Sequence, residues 1–159
     1  LCDYCNVARV YWITACLVGD DTDGHVDQLA RFVDRQTIVY ASETTREDPN
    51  FRSLDALRSQ LDVVRLTDDS QPTCIPIPMP PPVVIDGKRL PASYLNFYFV
   101  NDAIIVPQFD VPTDAIALDR IAQCVGTSRT VVPFPTRELS IGLGGIHCLT
   151  QQQPLSIHD

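Results

Sequence analysis

The sequence predicts an α/β protein in which one structural unit occurs twice. Each copy has two β-rich runs joined by a polar turn, then an amphipathic helix, then a closing β-rich run. The copies lie about 66 residues apart and keep the same order of elements, although their residues barely match. A hydrophobic content of 45% over 159 residues is typical of one globular domain with a buried core.

In the first copy, the β-rich residues 29–32 and 37–41 flank a polar turn, and this pattern predicts a hairpin. Residues 63–66, with the sequence Val-Val-Arg-Leu, predict the closing strand. Between them, a helix is predicted after Pro49 because apolar residues recur at helical spacing, at Phe51, Leu54, Leu57 and Leu61.

In the second copy, residues 94–100 and 103–107 predict another hairpin, and residues 129–133 predict the closing strand. A helix is predicted to begin at Pro112 and Thr113 and to end at Gly126, because proline suits a first helical turn and glycine a helix end. Its apolar face is expected to contain Ala115, Leu118, Ile121 and Val125.

The segment between the copies, residues 72–91, contains more than half of the thirteen prolines. Such a segment cannot supply the backbone donors of a sheet interior and favours extended polyproline geometry. An SH3-type ligand is one interpretation, but the position between two structured units favours a loop or an edge connection. Two further strands are predicted outside the copies, at residues 8–14 and after Cys148.

Composition excludes several classes of protein. The net charge of −8, with Lys88 as the single lysine, argues against a nucleic-acid partner. No apolar run approaches the roughly 20 residues that cross a bilayer, so we expect no membrane association and a cytoplasmic location. The six cysteines are irregularly spaced, which favours reduced thiols over disulfides. Cys2 and Cys5 lack the second pair that would complete a zinc site.

Acidic and turn-forming residues are concentrated at positions 19–27. An EF-hand calcium loop is excluded, because Gly19 and Ala30 would occupy the positions of its first and last acidic ligands. A solvated acidic turn remains an alternative. If His25 and Asp27 instead begin a strand, alternation sends both side chains to one face, where the carboxylate can bind a cation and the imidazole can transfer protons.

A cysteine follows a glycine-rich bend near the other end of the chain. Gly142, Gly144 and Gly145 precede Cys148 and allow close approach of the backbone to a ligand, so Gly145 is expected to bind substrate. An unreactive buried thiol is the alternative for Cys148. In an extended segment His147 would point to the opposite face, so we do not expect it to assist the thiol.

These residues resemble the agmatine deiminase family, which is close kin of the bacterial-type peptidylarginine deiminases. The matching stretches follow one another in the correct order along most of the chain. They are residues 19–27 with 29–32, residues 90–98, residues 106–109 and residues 144–154.

The resemblance implies an α/β propeller with fivefold pseudosymmetry, a pentein, built of strand-strand-helix-strand modules around one active site. It implies Cys148 as the nucleophile, His25 as general acid and base, and Asp27 as the carboxylate that binds the guanidinium of agmatine. Asn96 and Ser93 lie in a matched stretch, where lining the pocket and supporting the strand are both open. No metal or organic cofactor is implied.

Two departures from the family pattern affect this expectation. Leu143 interrupts the glycine run before Cys148. Family members are also about twice as long, so residues 1–159 are expected to be the C-terminal portion of one propeller domain, with two full modules and flanking strands. We expect it to bind a small guanidino cation and to associate with itself or with an N-terminal half. A catalytically inactive interaction module and an amidino-transferring enzyme are the alternatives.

Overall fold

The computed structural model describes residues 2–20 and 24–153. Residues 21–23 of the acidic segment and Pro154, at the end of the last matched stretch, lie outside these ranges. A short helix α1 (Cys2–Cys5) comes first, and the two predicted units follow. No helix among the described residues has both the length and the apolar composition needed to cross a membrane.

The first unit contains β1 (Ala30–Phe32), β2 (Thr37–Ser42), α2 (Phe51–Leu61) and β3 (Thr73–Pro78). Strands β1 and β2 pair antiparallel, as the predicted hairpin requires, and β3 pairs parallel to β2. Helix α2 confirms the predicted apolar spacing, since it buries Leu54, Leu57 and Leu61.

The predicted strand at residues 63–66 is wrong, because the closing strand β3 lies inside the proline-rich segment. Strand β3 is at the edge of the sheet order β1-β2-β3. At its two ends, Thr73 N–H donates to the Gln36 carbonyl and Met79 N–H to the Ser42 carbonyl. Because alternate backbone nitrogens of a strand point to opposite sides, those of Pro76 and Pro78 point away from β2. No N–H donor is needed on that open side of the sheet.

The second unit contains β6 (Tyr98–Val100), β7 (Ala103–Gln108), α3 (Thr113–Val125) and β8 (Thr130–Pro135). Its hairpin, helix and parallel closing strand confirm the predicted order. Gly126 follows the helix with φ 59°, as expected for a C-terminal glycine.

Two details of the second unit differ from the prediction. Strand β6 begins at Tyr98 rather than at residue 94, because residues 90–97 form a buried loop before it. Ala115 is exposed, and the buried face of α3 contains Asp114, Ala117, Ile121 and Val125.

The predicted strand at residues 8–14 is also wrong. Alternate backbone N–H groups from residue 14 onward donate to side chains of α2 and of the residue before it, rather than to a neighbouring strand. The pairs are Thr14 with Gln60 at 2.8 Å, Cys16 with Ser53 at 2.9 Å, and Val18 with Asn50 at 2.8 Å. Thr14, at the end of the predicted run, and the residues after it thus have backbone donors satisfied by side chains rather than by a neighbouring strand.

A small hairpin of β4 (Val84–Ile85) and β5 (Lys88–Arg89) was not predicted. Its turn residues Asp86 and Gly87 have φ 49° and 75°. An Asp-Gly pair with positive φ at both positions is the usual signal of a tight hairpin turn, so the sequence did contain the information.

One hydrophobic core extends through both units and places the loops before β1 and β6 next to each other. All six cysteines are free thiols, as predicted. The fully buried apolar residues at the centre of this hydrophobic core are Val39, Leu57, Phe97, Ile104, Val106, Ala117 and Ile121.

Candidate active site

Three segments that are far apart in sequence meet at one place on the surface. One atom each of His25, Asp27 and Cys148 lies within 4.8 Å of the other two. The Cys148 thiol donates to Asp27 Oδ2 at 3.5 Å. The structure therefore brings together a thiol, a carboxylate and an imidazole.

The His25–Asp27 pair is not the start of a strand. His25 is extended, with φ −73° and ψ 112°, and Val26–Gln28 forms a turn of 3₁₀ helix before β1. The backbone N–H of His25 donates to Asp20 Oδ2 at 2.9 Å, which holds the start of this turn. The expectation from strand alternation was wrong, although both side chains still approach the sulfur.

The segment that contains Cys148 is also helical. Leu143 turns the backbone with φ 62°, and His147–Leu149 forms a 3₁₀ helix. Residues 150–153 after it are not a strand, so the predicted final strand is absent from the described part of the chain. Leu143 interrupts the glycine run without preventing this turn, although a left-handed backbone is unfavourable for a leucine.

His147 is a site residue that sequence reasoning missed. Its Nδ1 lies 2.7 Å from Asp27 Oδ2, where its N–H can donate to the carboxylate. The prediction that His147 points away from the site assumed an extended segment. In a 3₁₀ turn, successive side chains differ by about 120° rather than 180°, so neighbouring residues can share one site.

Asn96, in the loop before β6, contacts both residues of the nucleophile turn. Its Nδ2 donates to Cys148 Sγ at 3.2 Å, and its Oδ1 accepts from the backbone N–H of His147 at 2.9 Å. Asn96 is 2% exposed, so this geometry is fixed by packing. A buried amide that donates to sulfur stabilises a thiolate.

Two other predicted residues support this loop. A side chain at Gly145 would place its Cβ 3.1 Å from Asn96 Cβ, so the close approach that requires glycine is to Asn96. The Ser93 hydroxyl donates to the Gln28 carbonyl at 2.8 Å and accepts from the Leu95 backbone N–H. Ser93 therefore connects the loop before β6 to the loop before β1.

The site retains unused hydrogen-bonding capacity. Asp27 Oδ1 and His25 Nδ1 are buried atoms with no hydrogen-bond partner among the described residues, and His25 Nδ1 lies 3.9 Å from Asp20 Oδ1. A guanidinium group is planar and presents several N–H donors, so it can bind such a carboxylate oxygen. The three clustered side chains also have the donor types that hold a zinc ion.

Cys148 differs from the cysteines in the core. Burial raises the pKa of the Cys74 and Cys124 thiols above the ordinary value. Cys148 is exposed, and Asn96 donates to its sulfur. Reactivity follows access and thiolate character, so the geometry favours Cys148 over these two thiols as a nucleophile.

Comparison with known proteins gives one family. The model of the Porphyromonas-type peptidyl-arginine deiminases matches residues 1–154. The agmatine deiminase of Pseudomonas syringae pv. tomato is 36% identical over 172 residues, which cover 97% of this chain and 46% of that protein. The agmatine deiminase of Pseudomonas aeruginosa strain LESB58 is 35% identical over 170 residues, covering 96% and 46%.

A solved structure supports the same grouping. The agmatine deiminase of Enterococcus faecalis superposes with a TM-score of 0.85 at 26% identity, covering 96% of this chain and 46% of that one. The chain spans slightly less than half the length of the curated relatives that it matches. The family match, which extends over nearly all residues, confirms the resemblance found in the motifs. This chain belongs to the Porphyromonas-type peptidyl-arginine deiminase family.

Proposed function

We propose that this site hydrolyses the guanidine group of agmatine to N-carbamoylputrescine and ammonia through a covalent intermediate on Cys148. One observation carries the proposal: the sulfur of Cys148 lies among a carboxylate and an imidazole, with Asp27 Oδ2 at 3.5 Å. The names of the relatives, agmatine deiminases, support the choice of substrate.

Substrate binding is assigned to Asp27. Its unpartnered Oδ1 accepts an N–H of the guanidinium, while Oδ2 stays bonded to His147. The flat cation then lies beside both the carboxylate and the sulfur. Two neighbouring anions repel each other, and a cation between them removes that repulsion, so substrate binding itself favours the thiolate form of Cys148.

In the first chemical step the Cys148 thiol gives its proton to His25, and the sulfur forms a bond to the guanidinium carbon while the π electron pair of a carbon–nitrogen bond moves to nitrogen. The tetrahedral intermediate collapses when a carbon–nitrogen bond breaks, and His25 supplies the proton with which ammonia leaves. An amidino-thioether remains on the sulfur. Asn96 holds the sulfur in line for the attack, because its Nδ2 donates to Sγ.

The second step is hydrolysis of the thioether. His25, now neutral, accepts a proton from water as the oxygen bonds to the same carbon. The carbon–sulfur bond then breaks with its electron pair going to sulfur, and the thiolate of Cys148 takes up the hydroxyl proton as the carbonyl forms. The product has a ureido group in place of the guanidine, so the net reaction consumes one water and releases one ammonia.

The propeller fold is part of the proposal. The two described units have the same strand-strand-helix-strand connection and would be two of five modules around the site. The remaining modules would supply acidic groups for the other side of the guanidinium. A buried charge that loses one partner is destabilised by about 3–5 kcal/mol, so we expect turnover by residues 1–159 alone to be slow.

The test detects the intermediate rather than turnover alone. After incubation with agmatine and rapid acid quench, peptide mass spectrometry should find Cys148 heavier by agmatine less ammonia. Ammonia and N-carbamoylputrescine should appear in equal amounts. Cys148→Ala should abolish both signals, whereas Cys16→Ala, which removes another exposed thiol, should retain them.

Three results would overturn the proposal. They are no adduct at saturating agmatine, an adduct on a different cysteine, or ammonia release that persists in Cys148→Ala. Offering an added amine distinguishes hydrolysis from amidino transfer, because transfer would yield a new guanidine instead of the ureido product.

A further inference from the structure

Arg31 connects β1 to one of the three segments that form the site, the loop before β6. It lies in β1, four residues after Asp27, and its side chain extends to the loop before β6. Burial lowers the pKa of its guanidinium, and the charges of Asp27 and Cys148 act in the opposite direction. A half-buried cation therefore lies within electrostatic range of the nucleophile and the binding carboxylate.

The contacts of Arg31 have a specific arrangement. Its Nη1 donates to the Leu95 carbonyl at 3.2 Å and to the Phe97 carbonyl at 3.0 Å. Its guanidinium carbon lies 4.6 Å from the centroid of the Phe97 ring. These two carbonyls flank Asn96, the residue whose amide donates to Cys148 Sγ.

We propose that Arg31 is a positioning residue for the nucleophile: it holds residues 95–97 in place and, through Asn96, sets the position of the Cys148 sulfur. The inference rests on the proposed function, since it concerns the same sulfur. Arg31 touches neither Cys148 nor Asp27 through a hydrogen bond among the described contacts, so its effect is transmitted through Asn96 and through its charge.

An arginine suits this position for two physical reasons. A guanidinium presents several donors in one plane and can stack on an aromatic ring while it binds two carbonyls, which a lysine ammonium cannot reproduce. Its positive charge also favours the anionic form of the neighbouring groups. Removing the side chain should loosen Asn96, and removing the charge should disfavour the Cys148 thiolate.

The test follows alkylation of Cys148 by iodoacetamide against pH, resolved by peptide mass spectrometry. In Arg31→Met we expect Cys148 to react about 10- to 100-fold more slowly at pH 8, the equivalent of one or two lost charge-assisted hydrogen bonds. We also expect its pH midpoint to rise. The other groups around the sulfur, Asp27, His147 and His25, are unchanged in this variant.

Two variants separate positioning from general damage. Arg31→Lys retains the charge but not the bonds, so it should recover the pH midpoint and not the full rate. Arg129→Met is the matched control, because the guanidinium carbon of Arg129 lies 4.9 Å from the centroid of the Phe99 ring. This variant should leave the alkylation rate and the pH midpoint of Cys148 unchanged. The half-buried thiols Cys74 and Cys124 report on folding, because they would react rapidly in an unfolded chain.

The proposal is overturned if folded Arg31→Met has the wild-type rate and pH midpoint for Cys148. If that variant proves unfolded, Arg31→Lys decides, and a wild-type rate in it overturns the proposal. Alkylation requires no agmatine. Failure of the wild-type protein to form the agmatine adduct would therefore refute the proposed function without deciding the role of Arg31.

Discussion

The two units of this protein have the same connection but contribute different chemistry to the site. In the first unit, the loop before β1 brings an imidazole and a carboxylate, His25 and Asp27. In the second, the loop before β6 brings a neutral amide, Asn96. The functional side chains of both units thus lie just before the first strand, so a repeated framework places them and the loop sequence gives each its role.

The helix entries of the two units also differ. Before α2, Asp48 accepts from the backbone N–H of Asn50 and pairs with Arg89 at 3.0 Å. In α3, Asp114 accepts from the hydroxyl of Tyr94 at 2.6 Å and from backbone N–H groups of the preceding loop. The first unit stabilises its helix entry with an ion pair, whereas the second uses a buried network that is anchored to the loop containing Asn96.

The closing strands are where the units agree most closely. Strand β3 reads Thr-Cys-Ile-Pro-Ile-Pro and β8 reads Thr-Val-Val-Pro-Phe-Pro, so both have proline at the fourth and sixth positions. In β8, as in β3, the N–H groups at the two strand ends donate toward the neighbouring strand of the sheet. The nitrogens of these alternate prolines therefore point to the open edge. Outward prolines remove donors from a sheet edge and oppose pairing with a further strand. They disfavour association of this chain with a further strand through these two edges.

The largest effect on the reaction with agmatine is expected from a substitution in the first unit. Asp27→Asn keeps the shape of the side chain but removes the charge that we propose binds the guanidinium, on the carboxylate whose Oδ1 has no hydrogen-bond partner among the described residues. We expect a loss of about 3–5 kcal/mol, and therefore adduct formation with agmatine that is slower by roughly 10²- to 10⁴-fold. The second-order rate of adduct formation on Cys148 measures this.

Asp55→Asn, on the exposed face of α2, is the matched control and should retain the wild-type rate. A rate within threefold of wild type in Asp27→Asn would show that the carboxylate of the first unit does not bind the substrate. In that case the loop before β1 would not supply the charge for substrate binding, and the proposed difference between the two loops would be contradicted.

A smaller effect should follow when the contribution of the second unit is disturbed. In Gly145→Ala, the added Cβ would lie 3.1 Å from Asn96 Cβ and 2.9 Å from its Cγ, which is too close. The strain should move Asn96 from the sulfur and cost about 1–3 kcal/mol. We expect slower alkylation of Cys148, together with a fall in the urea midpoint no larger than this cost accounts for.

Gly142→Ala adds the same methyl group where no atom lies within 4 Å, so it should react like the wild type. Equal rates for the two variants would show that the contact between Gly145 and Asn96 does not control the nucleophile. A large drop in the urea midpoint of Gly145→Ala alone would show that the glycine serves the fold instead.

The smallest effect concerns the buried network of the second unit. Burial and the bond to Asp114 raise the pKa of the Tyr94 phenol above its ordinary value. The folded state therefore retains this proton where the unfolded chain, with a phenol pKa of about 10, loses it. The contribution of Tyr94 to the unfolding free energy is complete below the pKa of the unfolded phenol. It decreases as the pH rises from there through the higher pKa of the folded state.

Tyr94→Phe should therefore lower the unfolding free energy by about 1–2 kcal/mol at pH 8. It should also make the fall of the unfolding free energy above about pH 10 less steep than in the wild type. Urea unfolding at both pH values measures these changes. Tyr4→Phe, at an exposed position in α1, should change neither value. A decline at high pH that is as steep in Tyr94→Phe as in the wild type would exclude Tyr94 as its cause.

Much of the fold was predictable because its signals are local. The two hairpins and α2 and α3 follow from alternation, helical spacing and turn residues. The closing strand β3 was missed because proline was treated as evidence against a strand. The shared Thr-x-x-Pro-x-Pro pattern of β3 and β8 could have revealed it, since proline at alternate positions is what an edge strand tolerates.

The site was less predictable because it depends on contacts between distant residues. The family motifs identified Cys148, His25 and Asp27, but the reasoning that placed them assumed strands where the chain forms 3₁₀ turns. For the same reason His147 was excluded. Strand and turn differ by a small change of backbone angles, and the short sequences around these residues do not distinguish them.

The sequence by itself determined the order of the elements, the class of fold and the residue types available for chemistry, because periodicity and turn preference act over a few neighbours. Only the tertiary structure decided which side chains meet. His147 and Asp27 are 120 positions apart and touch at 2.7 Å, and Arg31 reaches across the core to the loop that holds Asn96. Such contacts arise from the packing of whole units, so no local pattern specifies them.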